Sequence, residues 1–143
     1  MITYVSGSAS KILWLSCNSE FPFPTVSPQI LDPPNNHTVV EPQDTTFSCL
    51  ATGRPRPVIL WVRHSDITQL LPPSVDFSID EEEIGDRERR SNLTIIGTQP
   101  SDSGAYRCVA VNEPGINVEQ ATLTVHGKRI CLLHIKCLNP PIT

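Results

Sequence analysis

The sequence predicts an all-β fold, a sandwich or barrel of short strands. Three observations carry that reading. Runs rich in Val, Ile, Thr and aromatic residues recur between Pro28 and His126, set apart by Pro, Gly, Asn, Asp and Ser. Fourteen prolines stand against seven glycines, a load of turns and edges that a helical bundle would not tolerate. No segment holds a helical period over a useful length.

The elements follow in order. Residues 1–27 scatter aromatics (Tyr4, Trp14, Phe21, Phe23) among small polar residues and end in Phe21-Pro22-Phe23-Pro24, so they predict an irregular N-terminal segment. The first strand is expected at Thr38-Val39-Val40, after the break Asp32-Pro33-Pro34-Asn35. The second runs from Thr45 to Ala51; alternation puts Thr45, Phe47, Cys49 and Ala51 inward. Gly53-Arg54-Pro55-Arg56-Pro57 forces a break before Val58–Val62, with Ile59 and Trp61 on one face. A looser stretch from His64 to Arg90 holds a strand near Phe77-Ser78-Ile79 and a charged turn over Asp80–Arg90. Asn92–Ile95 is a strand with Leu93 and Ile95 inward, and Pro100–Gly104 is a corner. Tyr106–Asn112 and Val118–Val125 pair across the turn Glu113-Pro114-Gly115, with Ala121, Leu123 and Val125 on one face. That makes one domain over residues 28–126, and residues 127–143 form an irregular C-terminal tail.

Composition removes several function classes. A net charge of −4 gives no basic face for nucleic acid. No apolar run approaches the roughly 18–20 residues of a membrane span. Met1–Cys17 makes a poor secretory leader, with one charge at Lys11 and a short apolar run. The five cysteines (17, 49, 108, 131 and 137) are odd in number and show no Cys-x-x-Cys zinc spacing. The histidines at 37, 64, 126 and 134 are scattered, no Gly-rich phosphate loop is present, and no nucleophile motif occurs. The sequence therefore predicts neither cofactor, nor metal, nor enzyme.

One constellation decides the fold. Cys49 and Cys108 sit at the centres of two β runs, Trp61 follows Cys49 by 12 residues, and Asp102-Ser103-Gly104-Ala105-Tyr106-Arg107-Cys108 reads D-x-G-x-Y-x-C. Here the chain resembles the immunoglobulin superfamily, over residues 28–126. The approach Gly53-Arg54-Pro55-Arg56-Pro57-Val58-Ile59-Leu60-Trp61 and the run Cys108-Val109-Ala110-Val111-Asn112-Glu113-Pro114-Gly115 are similar to its I-set. The resemblance implies a two-sheet Greek-key sandwich and a Cys49–Cys108 disulfide joining the sheets, with Trp61 packed on the bridge and Leu93 in the core. It implies a Tyr106 hydroxyl returned to the backbone at the corner, a turn at Gly104, and an Asp102 carboxylate accepting a hydrogen bond or ion pair. Arg87, Arg89 and Arg90 are the candidate partners of Asp102. Thr98 departs from the family's usual aliphatic residue and is expected to loosen the corner.

Other sites have two readings each. Asn36-His37-Thr38 and Asn92-Leu93-Thr94 are sequons, either glycosylated or chance matches; Asn92 is expected to point outward, opposite Leu93. The acids and bases of Asp80–Arg90 offer oxygens to calcium, but their spacing fits no EF-hand loop, and a solvated turn with local ion pairs is the plainer reading. Cys131 and Cys137 pair with each other, or one pairs with Cys17, or the tail lies outside the native domain.

The functional expectation is an extracellular or cell-surface protein-binding module, homophilic or heterophilic, serving adhesion, receptor recognition or matrix assembly within a multi-domain array. A disulfide persists only in oxidising compartments, and the sequons agree. The alternative is an intracellular structural I-set domain of the muscle-protein kind, with the same cysteines reduced.

Overall fold

The computed structural model describes residues 23–63, 71, 76–132 and 136–138. Trp14 and Cys17 lie outside them. In chain order the strands are β1 (Val26–Asp32), β2 (His37–Val40), β3 (Thr45–Arg54), β4 (Val58–Arg63), β5 (Phe77–Ile84), β6 (Glu88–Ile95), β7 (Gly104–Asn112), β8 (Gly115–His126), β9 (Ile130–Leu132) and β10 (Lys136–Leu138). A 3-10 turn, Pro100–Asp102, precedes β7. Two four-stranded sheets result, ordered β1-β3-β6-β5 and β2-β8-β7-β4. From β1 to β8 the chain crosses between sheets at every connection except β5 to β6 and β7 to β8. All neighbours are antiparallel except β2, which runs parallel to β8.

Alternation along β3, β6 and β8 aims one residue in two at the space between the sheets. Phe47, Cys49, Ala51, Leu93, Ile95, Ala121, Leu123 and Val125 are buried there, as the sequence predicts, with Ile59 and Trp61 from β4 and Tyr106 and Cys108 from β7. Phe47 stacks on Tyr106 with ring centroids 5.3 Å apart. Cys49 and Cys108 form a disulfide across the core, 59 residues apart in sequence. In the chain-entropy account a loop of that length stabilises the fold by about 4 kcal/mol. Trp61 is 1% exposed, and its indole N–H donates to Ser91 Oγ at 2.9 Å. The polar edge of the largest core side chain therefore has a partner inside the sandwich.

Three expectations need correction. The charged stretch Asp80–Arg90 is no long turn: it is a β5–β6 hairpin paired from Phe77↔Ile95 to Ile84↔Glu88, turning at Gly85 with φ 59°. Its charges alternate faces. Glu81 and Glu83 share a side with Arg89, while Glu82 stands opposite Arg90 on the other. Second, β1 begins at Val26, inside the segment expected to be irregular. Pro28 fits there because β1 is an edge strand, where a missing N–H breaks no central ladder. Register shifts interrupt its pairing with β3, and side chains of the opposite sheet fill in. Asn112 Nδ2 donates to Val26 O at 2.7 Å, and Asn117 Oδ1 accepts from Ile30 N at 2.8 Å. Third, the tail expected to be irregular carries the β9–β10 hairpin, in which Cys131 and Cys137 stand opposite each other in register.

Candidate binding face

The corner before β7 is built from the motif residues. Gly104 has φ 146°, a backbone conformation that glycine tolerates and a side chain strains. Tyr106 donates its hydroxyl to Asp102 O at 2.7 Å, so the chain closes on itself over four residues. Burial pushes the Tyr106 hydroxyl up to about 12; Arg63 opposes the shift, and the Asp102 charge adds to it. Arg63 lies over the Tyr106 ring, 5.7 Å from its centroid, and also donates to Ser101 O. The Asp102 carboxylate accepts the Gln99 N–H at 2.8 Å and holds the 3-10 turn. The three arginines expected to pair with it are elsewhere: Arg87 lies in the β5–β6 turn, Arg89 pairs with Glu81 and Glu83, and Arg90 reaches Asp32. Thr98 does not loosen the corner. It is fully buried, and its N–H and hydroxyl both donate to Gln43 O, at 3.2 and 2.6 Å. The hydroxyl that departs from the family pattern thus ties the β6–β7 connection to the turn before β3. The Tyr106 hydroxyl, the Asp102 carboxylate and the Thr98 hydroxyl are thus all spent on holding the sandwich together.

The two outward faces differ sharply in chemistry. On β4, the residues opposite Ile59 and Trp61 are Val58, Leu60 and Val62. Pairing sets them in rows across three strands: Val58–Val111–Ile116, Leu60–Val109–Val118, and Val62–Arg107–Gln120. Two rows are wholly apolar. Ile116 is 60% exposed, Val58 50% and Val118 42%, while Val62 and Val109 are buried beneath their neighbours. Val62, Arg107, Val109 and Val118 line a shallow depression, and Arg107 Nε is fixed by Gln120 Oε1 at 3.0 Å on its rim. Contiguous exposed apolar surface is uncommon on a soluble domain and marks interaction sites. The outward face of the β1-β3-β6-β5 sheet is polar instead, with rows Thr46–Thr94–Ser78, Ser48–Asn92–Asp80 and Leu50–Arg90–Glu82.

At one end, where the core gives out, the hairpin acids meet arginines. Arg56 reaches Glu83 at 3.1 Å, and Arg89 spans Glu83 at 3.0 Å and Glu81 at 3.1 Å. These oxygens are spoken for by guanidinium groups, and among the described residues no set of three His, Cys, Asp or Glu side chains converges to hold a metal. Of the sequons, Asn36 is exposed and accepts Thr122 N at 2.8 Å through Oδ1. Asn92 is half-buried on the polar outer face, the side expected for it.

The apolar face was not singled out in the sequence, although its signal is there. Val58–Val62 and Val109–Val111 are apolar at both parities, where a half-solvated strand alternates. Reading only the inward positions passes over it.

An immunoglobulin I-set domain model matches residues 28–125. The chain belongs to that family. It is 37% identical over 100 residues to the netrin receptor DCC of Rattus norvegicus, covering 70% of this chain and 6% of the receptor. It is 35% identical over 88 residues to Homo sapiens neogenin, and 31% identical over 137 residues to Drosophila melanogaster protein sidekick, covering 62% and 96% of this chain. The chain thus spans about one twentieth of the length of these relatives. Among solved structures it is similar to the titin–obscurin-like 1 immunoglobulin complex, with TM-score 0.61 and 27% identity over 72% of this chain and 97% of that one. The titin domains in complex with telethonin match with TM-score 0.62 and 28% identity, over 73% of this chain and 49% of that one. Sequence kinship thus leads to a netrin receptor, neogenin and protein sidekick, and structural likeness to titin domains.

Proposed function

We propose that this chain is a protein-recognition module of a larger cell-surface or extracellular protein, and that it holds its partner on the outward face of β4, β7 and β8. The observation that carries the reading is the pair of apolar rows, Val58–Val111–Ile116 and Leu60–Val109–Val118, exposed beside the Arg107–Gln120 rim. An apolar centre with a polar margin is the anatomy of a protein interface. The likeness to DCC and neogenin supports a receptor or adhesion setting, and the Cys49–Cys108 bridge supports an oxidising compartment. The work is binding, homophilic or heterophilic, without catalysis.

The test uses the whole chain, secreted, biotinylated and tetramerised, and applied to a panel of cell lines. Saturable staining is expected. The double substitution Val58→Asp with Ile116→Asp should lower it by at least tenfold, since charges placed in an apolar contact go unpaired. Both positions face solvent, so the melting temperature should hardly change. Equal staining by wild type and the double variant would show that this face is not the site.

A second reading has its own support. Titin domains share the fold at 27–28% identity, and an intracellular load-bearing domain would look much the same. The two part at the core cysteines. Protein from its native source, alkylated without reduction, should leave Cys49 and Cys108 unlabelled. Labelling of both would favour the structural reading.

A further inference from the structure

We propose that Asn92 carries an N-linked sugar chain that shields the outward face of the β1-β3-β6-β5 sheet and leaves the β4-β7-β8 face as the open side of the sandwich. The proposal rests on the extracellular reading above, because only that route exposes the chain to the transferase.

Three observations converge on Asn92. It heads the sequon Asn92-Leu93-Thr94 on β6, an inner strand of its sheet, with Leu93 buried and Asn92 turned outward. Its cross-strand neighbours on that face are Ser48 and Asp80, both short. The long side chain beside it, Arg90, is turned toward β3 and β1, where it donates to Ser48 Oγ at 3.2 Å and reaches Asp32 at 3.5 Å. Its carboxamide has no hydrogen-bond partner among the described residues. Asn112 and Asn117, by contrast, spend theirs on β1: Asn112 donates through Nδ2 to Val26 O and Pro55 O, and Asn117 accepts Ile30 N. A sugar on Asn92 therefore breaks no internal bond. The sequon hydroxyl is also placed harmlessly, since Thr94 Oγ1 shares a hydrogen bond of 2.8 Å with Thr46 Oγ1 on the same face.

The chemistry is a group transfer from a lipid-linked pyrophosphoryl oligosaccharide. A bond forms between Asn92 Nδ2 and the anomeric carbon, and the bond from that carbon to the pyrophosphate oxygen breaks. The lipid pyrophosphate leaves with the electron pair, and the amide gives up one proton to base. Transfer takes place on the unfolded chain, so the folded sandwich needs only room for the product. Room exists on the polar rows, and a bulky solvated sugar at their centre covers them. Asn36 is a separate acceptor at the start of β2, beside Thr122 of the other sheet, and takes no part in this shield.

The full chain, secreted by cultured animal cells, decides the matter by peptide mapping before and after treatment with a peptide:N-glycanase. The Asn92 peptide should appear only after treatment, with Asn92 converted to Asp; Asn36 is read from its own peptide. In the native protein, carbodiimide labelling of Asp80 and Glu82 should rise at least about twofold once the sugar is removed, while labelling of Glu113 in the β7–β8 turn stays constant. An unmodified Asn92 peptide from secreted protein whose Cys49–Cys108 bond is intact overturns the proposal, as does labelling of Asp80 and Glu82 that ignores the sugar. Neither result depends on cell staining, so failure here and failure of the binding reading are told apart.

Discussion

Tyr106 shows how one residue serves two purposes in this domain. Its ring lies between Phe47 and the Arg63 guanidinium, and its hydroxyl closes the corner on Asp102 O. Because burial raises its ionisation to about 12 from the ordinary 10.0, the folded state binds this proton more tightly than the unfolded chain does. Its contribution is therefore complete below about pH 10 and is lost as pH climbs toward about 12. Tyr106→Phe should cost about 1 kcal/mol at neutral pH, the net worth of one hydrogen bond. It should also flatten the alkaline fall in stability. Urea titrations at about pH 8 and about pH 11 would show a smaller gap between the two variants at the higher pH. A gap that does not shrink with pH would mean that the phenolate is tolerated inside. Trp61, Cys49, Cys108 and Tyr106 were legible in the sequence because each is fixed by a contact the fold cannot supply otherwise. The partner of Asp102 was not. An N–H two or three residues away serves a carboxylate as well as a distant arginine does, and sequence gives no distance.

At the scale of elements, the β5–β6 hairpin was the hardest to read. Glu81, Glu82 and Glu83 in succession look like a solvated turn when faces are ignored. Pairing separates them: Glu81 and Glu83 go to Arg89, and Glu82 to the side of Arg90. Acid and base are thus spaced so that each finds its opposite across the strand pair. Arg89 is the centre of this arrangement, with a side chain only 19% exposed. Arg89→Ala should destabilise by about 1 kcal/mol, part of it lost packing of the aliphatic stem. The charge part should shrink in about 1 M salt, where the screening length falls to about 3 Å. Thermal melts of both proteins at low and high salt would measure it, and a loss wholly independent of salt would assign the role to packing alone. The strand β1 escaped notice for another reason. Its pairing is broken by register shifts, and its missing bonds are supplied by Asn112 and Asn117, which sit more than 80 residues away in sequence. No local pattern encodes that.

For the molecule as a whole, the fold was legible because inward positions repeat with period two and because six spaced residues agree in order. The apolar outer face was less so, since an outward apolar residue resembles an inward one until the register is known. Val58, Val111 and Ile116 come from three different strands, and only the β4-β7-β8 ladder makes them a row. The two sides of the sandwich emerge as unlike surfaces, one polar and centred on Asn92, the other apolar and centred on Val109.

The parallel pairing of β2 with β8 has a mechanical consequence. Residues His37 to Val40 run beside Leu123 to His126 in the same direction, and Glu41 N continues the ladder to His126 O at 3.0 Å. Tension applied through the two ends of the domain pulls β2 backward and β8 forward. Every bond between them is then loaded at once, in shear, and they yield together rather than one by one. Val39→Pro, which removes a donor from this ladder, should lower the rupture force in a single-molecule pull. An unchanged force would place the resistance elsewhere. Such a domain would hold its shape under load and give way abruptly, so that its apolar outer face stays intact up to the moment of failure.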